Sequence, residues 1–340
     1  MHVVAAPDKF RGTATAAAAA AAMAAGARRL GARVTAVPMA DGGEGTLAAF
    51  GGGTDVTTVT GPLGTPVAAS WRYDPDAATA VIESAQACGL HLAGGHEGND
   101  PEAATTRGVG ELIAAAVQRG ARRVLIGIGG SATTDGGQGA VDALVEAGLV
   151  PALREVDVLV CCDVETRFLD AARIFAPQKG ADPATVARLS DRLARRRDGY
   201  VARFGVDPQT VSGSGAAGGL AGGLAALGAK LVPGVDLIAA ETGLDDAIAA
   251  ADVVLTGEGR VDATSLQGKV VGALCQRARV AGKGAIVVAG VVDADVHLPG
   301  VDVVSLAASF GAKRAFVDTA RAIEDATATA LRRWKEAHHG

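Results

Sequence analysis

The sequence predicts a two-domain α/β protein: a Rossmann/flavodoxin-like parallel-sheet domain formed from both chain ends, with a mixed α/β domain inserted between. Three observations carry this expectation. Apolar, β-branched runs near both termini stop at Gly or Asp and lead into helical patterns, the order expected of a parallel sheet. Residues 54–85 instead show short alternating strands, punctuated by Gly61, Pro62, Gly64, Asp74 and Pro75, which read as an antiparallel meander. The run RRVLIGIGGSATTDGGQGA at 122–140 reads as buried strand, Gly-rich loop and helix. The expected division is 1–51 plus 240–340 for the first domain and 52–239 for the inserted one.

The elements follow in order. HVVAAPD at 2–8 is a short strand, and a helix runs on to Leu30 with Thr13 or Thr15 as its N-cap. The alanines at 14–25 are low in complexity, but alanine is the best helix former. VTAVPMAD at 34–41 is a second strand, followed by GGEGT and a helix over 46–50. After the meander, a helix at about 106–120 leads to the strand at 124–128, and another helix spans 138–148. VDVLVCCD at 156–163 is again a strand. The Arg-rich segment 182–204 reads as a helix with a solvated basic face, and SGSGAAGGLAGGL at 212–224 as a Gly loop with small-residue packing. Strands at 251–260, 284–290 and 301–308 precede a final helix at about 315–337.

Bulk properties narrow the function classes. The 340 residues are long enough for two domains, and 49% hydrophobic with 20% charged residues is a globular composition. A net charge of −5 lacks the basic face that general nucleic-acid binding needs, and 3% aromatics leave few base-stacking platforms. Four cysteines form no C-x-x-C and fit buried thiols in a reducing compartment. The first residues read as a strand rather than a signal peptide, and the Ala-rich run is too short and weakly apolar to span a bilayer. A cytoplasmic protein without membrane or nucleic-acid partners is expected.

In an open parallel sheet, ligands bind beyond the carboxyl ends of the strands. Here those ends carry Asp8 and Lys9, Asp41 and Glu44, Ser131, Asp163, and Glu258 with Arg260. One such aspartate is explained by helix capping; four strands ending in acids beside glycines are not explained by caps alone. Converging carboxylates suit Mg²⁺, a hard cation with oxygen ligands. Lys9, Arg11, Lys179, Arg260 and Lys269 supply cations at the same ends. Carboxylates, cations and Gly loops are the components of phosphoryl transfer.

These residues also resemble a family. APDKFRGT, ADGGEGT, GIGGSATTDGG, PQKGA, GAAGGL and TGEGRVDATSLQGK, in this order over almost the whole chain, are similar to the signatures of the bacterial type-1 glycerate kinases. The resemblance implies ATP- and Mg²⁺-dependent phosphorylation of D-glycerate to 2-phosphoglycerate, with the active site in the cleft between two domains. Three departures stand out: Lys9 and Arg11 in place of the common PDSFKG pattern, Glu165-Thr166-Arg167 after Val164, and a short connection from Gly148 to Val156.

For such a kinase, Asp163 is the expected base for the attacking hydroxyl and Asp41 its rival, with Lys9 and Arg260 in the catalytic set. Arg260, Arg11 and Lys9 are candidates for the substrate carboxylate, with Asp8 on the substrate side and Lys179 for a phosphate. Gly129, Gly130, Ser131 and Thr133 are expected to cradle phosphates through backbone N–H groups. Gly215 and Gly218 would do the same or permit close helix packing, and Gly257 and Lys269 join the nucleotide set. Asp41, Glu44 and Glu258 are the metal-side carboxylates. Three other readings stay open: a glycerate 3-kinase, a non-catalytic nucleotide or hydroxy-acid sensor, and an NAD-linked dehydrogenase, the last opposed by the missing G-x-G-x-x-G. A homodimer is the open alternative to a monomer.

Overall fold

The structure, a computed structural model, describes residues 1–266 and 269–339. The chain divides into two compact units, Met1–Asp41 with Val235–Gly340, and Gly42–Gly234. Relative to the expected boundaries, the helix Thr46–Ala49 goes with the second unit. There Glu83 Oε2 accepts hydrogen bonds from Gly45 N and Leu47 N, each at 3.1 Å, and satisfies the helix start.

In the first unit, β1 (His2–Ala5), β2 (Arg33–Ala36), β9 (Val253–Thr256), β11 (Gly284–Ala289) and β13 (Asp302–Ser305) form one sheet in the order β13-β11-β9-β1-β2. All four pairings are parallel. Counted within this unit, the order is the flavodoxin-like 2-1-3-4-5, whose direction reverses between β1 and β9. The central strands β1, β9 and β11 are apolar and buried almost throughout, as parallel strands covered on both faces must be. A small parallel pair, β10 (Arg260–Val261) with β12 (Val291–Val292), extends the ends of β9 and β11.

The alanine run has a packing role. Thr15 caps the helix Ala16–Arg28 by accepting from Ala18 N at 3.1 Å. That helix lies against Thr319–His339, with Ala19, Ala22 and Ala27 in one core with Ala322, Ala326 and Ala330. A Cβ on Gly26 would stand 2.4 Å from Glu324 O, so the two backbones approach too closely for a side chain there. The expected final helix is two: Ala312–Val317 ends at Asp318, where φ is −127°, before Thr319–His339 begins.

In the second unit, β3 (Asp55–Thr60), β4 (Pro66–Asp74), β5 (Thr79–Glu83), β6 (Arg123–Gly127), β7 (Asp157–Cys161) and β8 (Lys230–Val232) form a mixed sheet in sequence order. The meander is antiparallel from β3 to β5, and β5 then pairs parallel with β6. Strand β8 is absent from the sequence reading because its three residues carry no period. The helix Pro183–Phe204 buries Leu189, Leu193 and Tyr200. Its arginines lie on the solvent side, as expected, where Arg188 pairs with Glu102 at 2.7 Å and Arg197 with Asp207 at 2.6 Å. All four cysteines are free thiols. Among the described residues no helix is long and apolar enough to cross a membrane.

Candidate active site

A pocket of about 800 Å³ opens at the carboxyl ends of the first unit's sheet. Seven residues singled out from the sequence line it: Asp8 and Lys9 after β1, Arg11, Asp41 beyond β2, Glu258 and Arg260 after β9, and Lys269. Strand polarity explains the gathering. Parallel strands all end on the same edge, so residues far apart in sequence meet where the loops leave the sheet.

Asp8 is buried, and its backbone N–H donates to Gly257 O at 2.9 Å, tying the β1 end to the β9 end. Its Oδ1 accepts from Lys9 N at 2.6 Å. The Lys9 ammonium lies between two acids, 3.8 Å from Asp8 Oδ1 and 3.9 Å from Asp41 Oδ1. Burial pushes the Asp8 carboxyl up to about 6; Lys9 opposes this, while Asp41 and Glu258 add to it by repulsion. Burial also raises Glu258, against the pull of Ser265 and Lys269. Glu258 Oε1 is buried without a hydrogen-bond partner. Among the described residues no group of three or more His, Cys, Asp or Glu forms a ready metal cage.

The remaining cations of this unit differ in availability. Arg260 pairs with Asp293 at 2.9 Å, and Lys269 Nζ donates to Thr264 Oγ1 at 2.9 Å. Arg11 is exposed on the pocket lining. Gly257 is a packing residue: a Cβ there would lie 1.8 Å from Val288 O. Gln267 and Gly268, inside the TGEGRVDATSLQGK motif, lie outside the described residues.

The second unit gathers the other set. Its Gly-rich loop runs from β6 to the helix Gln138–Glu146, and Asp135 holds it. Asp135 accepts from Thr106 N, Thr106 Oγ1, Gly137 N and Gly139 N at 2.8–3.1 Å. The sequence reading missed this anchor because Asp135 stands two residues before the N-cap Gly137, outside the usual capping position. Lys179 packs against the same loop. Expected to reach a phosphate, it is 3% exposed and donates to Ser131 Oγ at 3.0 Å and Thr133 O at 2.6 Å. Burial lowers it to about 8, with Cys88 and Asp135 opposing.

Ser131 and Thr133 are buried with it, which leaves half-exposed Gly129 and exposed Gly130 as the loop's accessible tip. Gly215 and Gly218 take the packing alternative. A Cβ on Gly218 would meet Thr133 O at 2.0 Å, and one on Gly215 would meet Arg167 O at 2.5 Å. Glu44 is exposed in this unit. Asp163 is exposed at the end of β7, where its Oδ1 accepts from Gly234 N at 2.9 Å.

Acids and cations at the carboxyl ends of an open parallel sheet, with a Gly-rich βα loop in a second α/β unit, define an α/β protein of the phosphotransferase class. The chain belongs to the glycerate kinase family: the model described as "Glycerate kinase family" matches residues 3–149 and 145–337. It is 38% identical to the glycerate 2-kinase of Escherichia coli K12, over 89% of this chain and 90% of that one. The glycerate kinase of Bacillus subtilis 168 is 36% identical, over 89% of each chain. A crystal structure from Salmonella typhimurium LT2, assigned as a glycerate kinase 2, superposes with a TM-score of 0.86 at 32% identity and covers 100% of both chains.

Proposed function

We propose that this chain transfers the γ-phosphoryl group of ATP to the 2-hydroxyl of D-glycerate, giving 2-phosphoglycerate. The observation that carries this reading is the gathering of Asp8, Lys9, Asp41 and Glu258 on one pocket at the ends of parallel strands. Phosphoryl transfer asks little covalent chemistry of a protein; positioning and charge stabilisation supply most of the acceleration. The relative named glycerate 2-kinase supports the choice of hydroxyl.

Mg²⁺ fits the residues present. It takes oxygen donors, and protein sites commonly give it one or two carboxylates while water and phosphate complete the shell. Asp41 and Glu258 would hold it, and the buried, unpartnered Oε1 of Glu258 is the observation that fits. Bound there, the ion would neutralise charge on the phosphates.

The proton-accepting role passes from Asp163 to Asp8. A general base works best with a pKa near the operating pH, and burial brings Asp8 to about 6. Lys9 holds the two acids beside it in place and offsets their repulsion. Arg11, with no ion pair among the described residues, receives the glycerate carboxylate; Arg260 is already engaged by Asp293. Lys269, on the same pocket, serves phosphate oxygens.

Purified protein incubated with ATP, Mg²⁺ and D-glycerate, read by ³¹P NMR, tests the reading. The expected product is 2-phosphoglycerate, lost when the metal is omitted. Formation of 3-phosphoglycerate would overturn the regiochemistry, and intact ATP would overturn the kinase reading.

A further inference from the structure

The pocket of the first unit combines charged walls with one apolar stretch. Over β9, β1 and β2 it presents Asp8, Lys9, Asp41 and Glu258, with Arg260 on β10 beside Val291 of β12; past β11 and β13 the walls Val291 and Ala307 are apolar. The helix Ala312–Val317 closes that apolar end with Ala312, Ala315 and Phe316. Strands lie about 4.8 Å apart, so β13 and β2 are separated by roughly 19 Å across the sheet. A three-carbon hydroxy acid occupies a fraction of that length and has no use for an apolar wall. A ligand that is flat and aromatic at one end and polyanionic at the other matches both ends.

Phe316 stands out on that wall. It is 67% exposed, although large apolar side chains are usually buried, and its ring stacks on no other ring or cation among the described residues. Its neighbours Phe310 and Arg314 are engaged with each other, the guanidinium 4.6 Å from the ring centroid.

We infer that Phe316 is the stacking platform for the nucleobase of the phosphoryl donor, which lies across the sheet ends with its base over β11 and β13 and its phosphates over β9 and β1. This rests on the nucleotide-dependent reading above and adds the donor's location and the manner of its recognition. The side chains of the apolar wall offer no hydrogen bonds, so the base is read by its face. Stacking of this kind tolerates different bases, because every base has a π-face. Purine donors are therefore accepted alike, and a donor without a base is not.

Steady-state kinetics of Phe316→Ala and Phe316→Trp, with ATP, GTP and Mg²⁺-tripolyphosphate as donors, test the inference. Phe316→Ala is expected to raise the KM for ATP about five- to a hundredfold, and to leave the KM for D-glycerate within twofold on the order of assay error. Phe316→Trp is expected to restore the ATP KM, and its indole fluorescence to change on titration with ATP but not with tripolyphosphate. An unchanged ATP KM in Phe316→Ala, or a rise confined to the KM for D-glycerate, would overturn the inference. The fluorescence titration needs no turnover. A base-dependent signal in a protein that forms no phosphoglycerate would therefore sustain the base site while the kinase reading fails.

Discussion

Lys179 shows how one buried charge organises a loop. Its ammonium, enclosed with Ser131 and the Thr133 carbonyl, replaces lost water with two hydrogen bonds, yet burial still lowers its pKa to about 8 from 10.5. The sign of the pH effect follows. Between those values the unfolded chain keeps this proton and the folded chain releases it, so the Lys179 contribution to stability rises with pH across that window. The difference in urea midpoint between the wild type and Lys179→Met is expected to shift in favour of the wild type from about pH 8 to 10.5. Equal slopes in the two proteins would remove the residue from this role. Nothing local in PQKGA distinguishes an inward lysine from a surface one. Its burial depends on Ser131, Thr133 and Cys88, which the chain brings in from 46 to 91 positions away, and periodicity does not carry that information.

At the scale of elements, glycines decide how closely loops pack. Gly218 has φ of +68° and no room for a Cβ, because Thr133 O would lie 2.0 Å away. Gly218→Ala combines left-handed strain with overpacking against a backbone carbonyl, and a loss of about 3 kcal/mol or more in unfolding free energy is expected. Chemical denaturation measures it directly. A loss of a few tenths of a kcal/mol would mean that the loop has slack. The sequence shows that 212–224 is a glycine loop but leaves ligand and packing roles equal, since both require small residues. Only the facing backbone separates them. Strand ends are a different matter. Asp8 and Glu258 are legible because an apolar run that stops at an acid marks the exit of a buried parallel strand. Phe316 escapes notice for the opposite reason: a single aromatic in a helical pattern looks like core.

At the scale of the whole molecule, the five parallel strands come from both chain ends and the mixed sheet from one continuous segment, as alternating βα signals and a meander between them indicate. The division of chemistry is less legible. Acids at several strand ends look equivalent in sequence, yet Asp8, Asp41 and Glu258 share a pocket in the first unit, whereas Asp163 and Glu44 are exposed in the second. Burial raises Asp8 and Glu258 because the first unit's strand ends enclose them.

The measurement that tests this assignment most directly compares phosphoglycerate formation by Asp8→Asn and Asp163→Asn, with the wild-type pH profile alongside. Loss of the proton acceptor is expected to lower kcat about 10²–10⁴-fold in Asp8→Asn and leave Asp163→Asn within about tenfold of wild type. The wild-type kcat/KM is expected to rise with pH through about 6, as Asp8 gives up its proton, and to level off above. A fully active Asp8→Asn beside an inactive Asp163→Asn would move the chemical step out of the first unit and contradict the assignment.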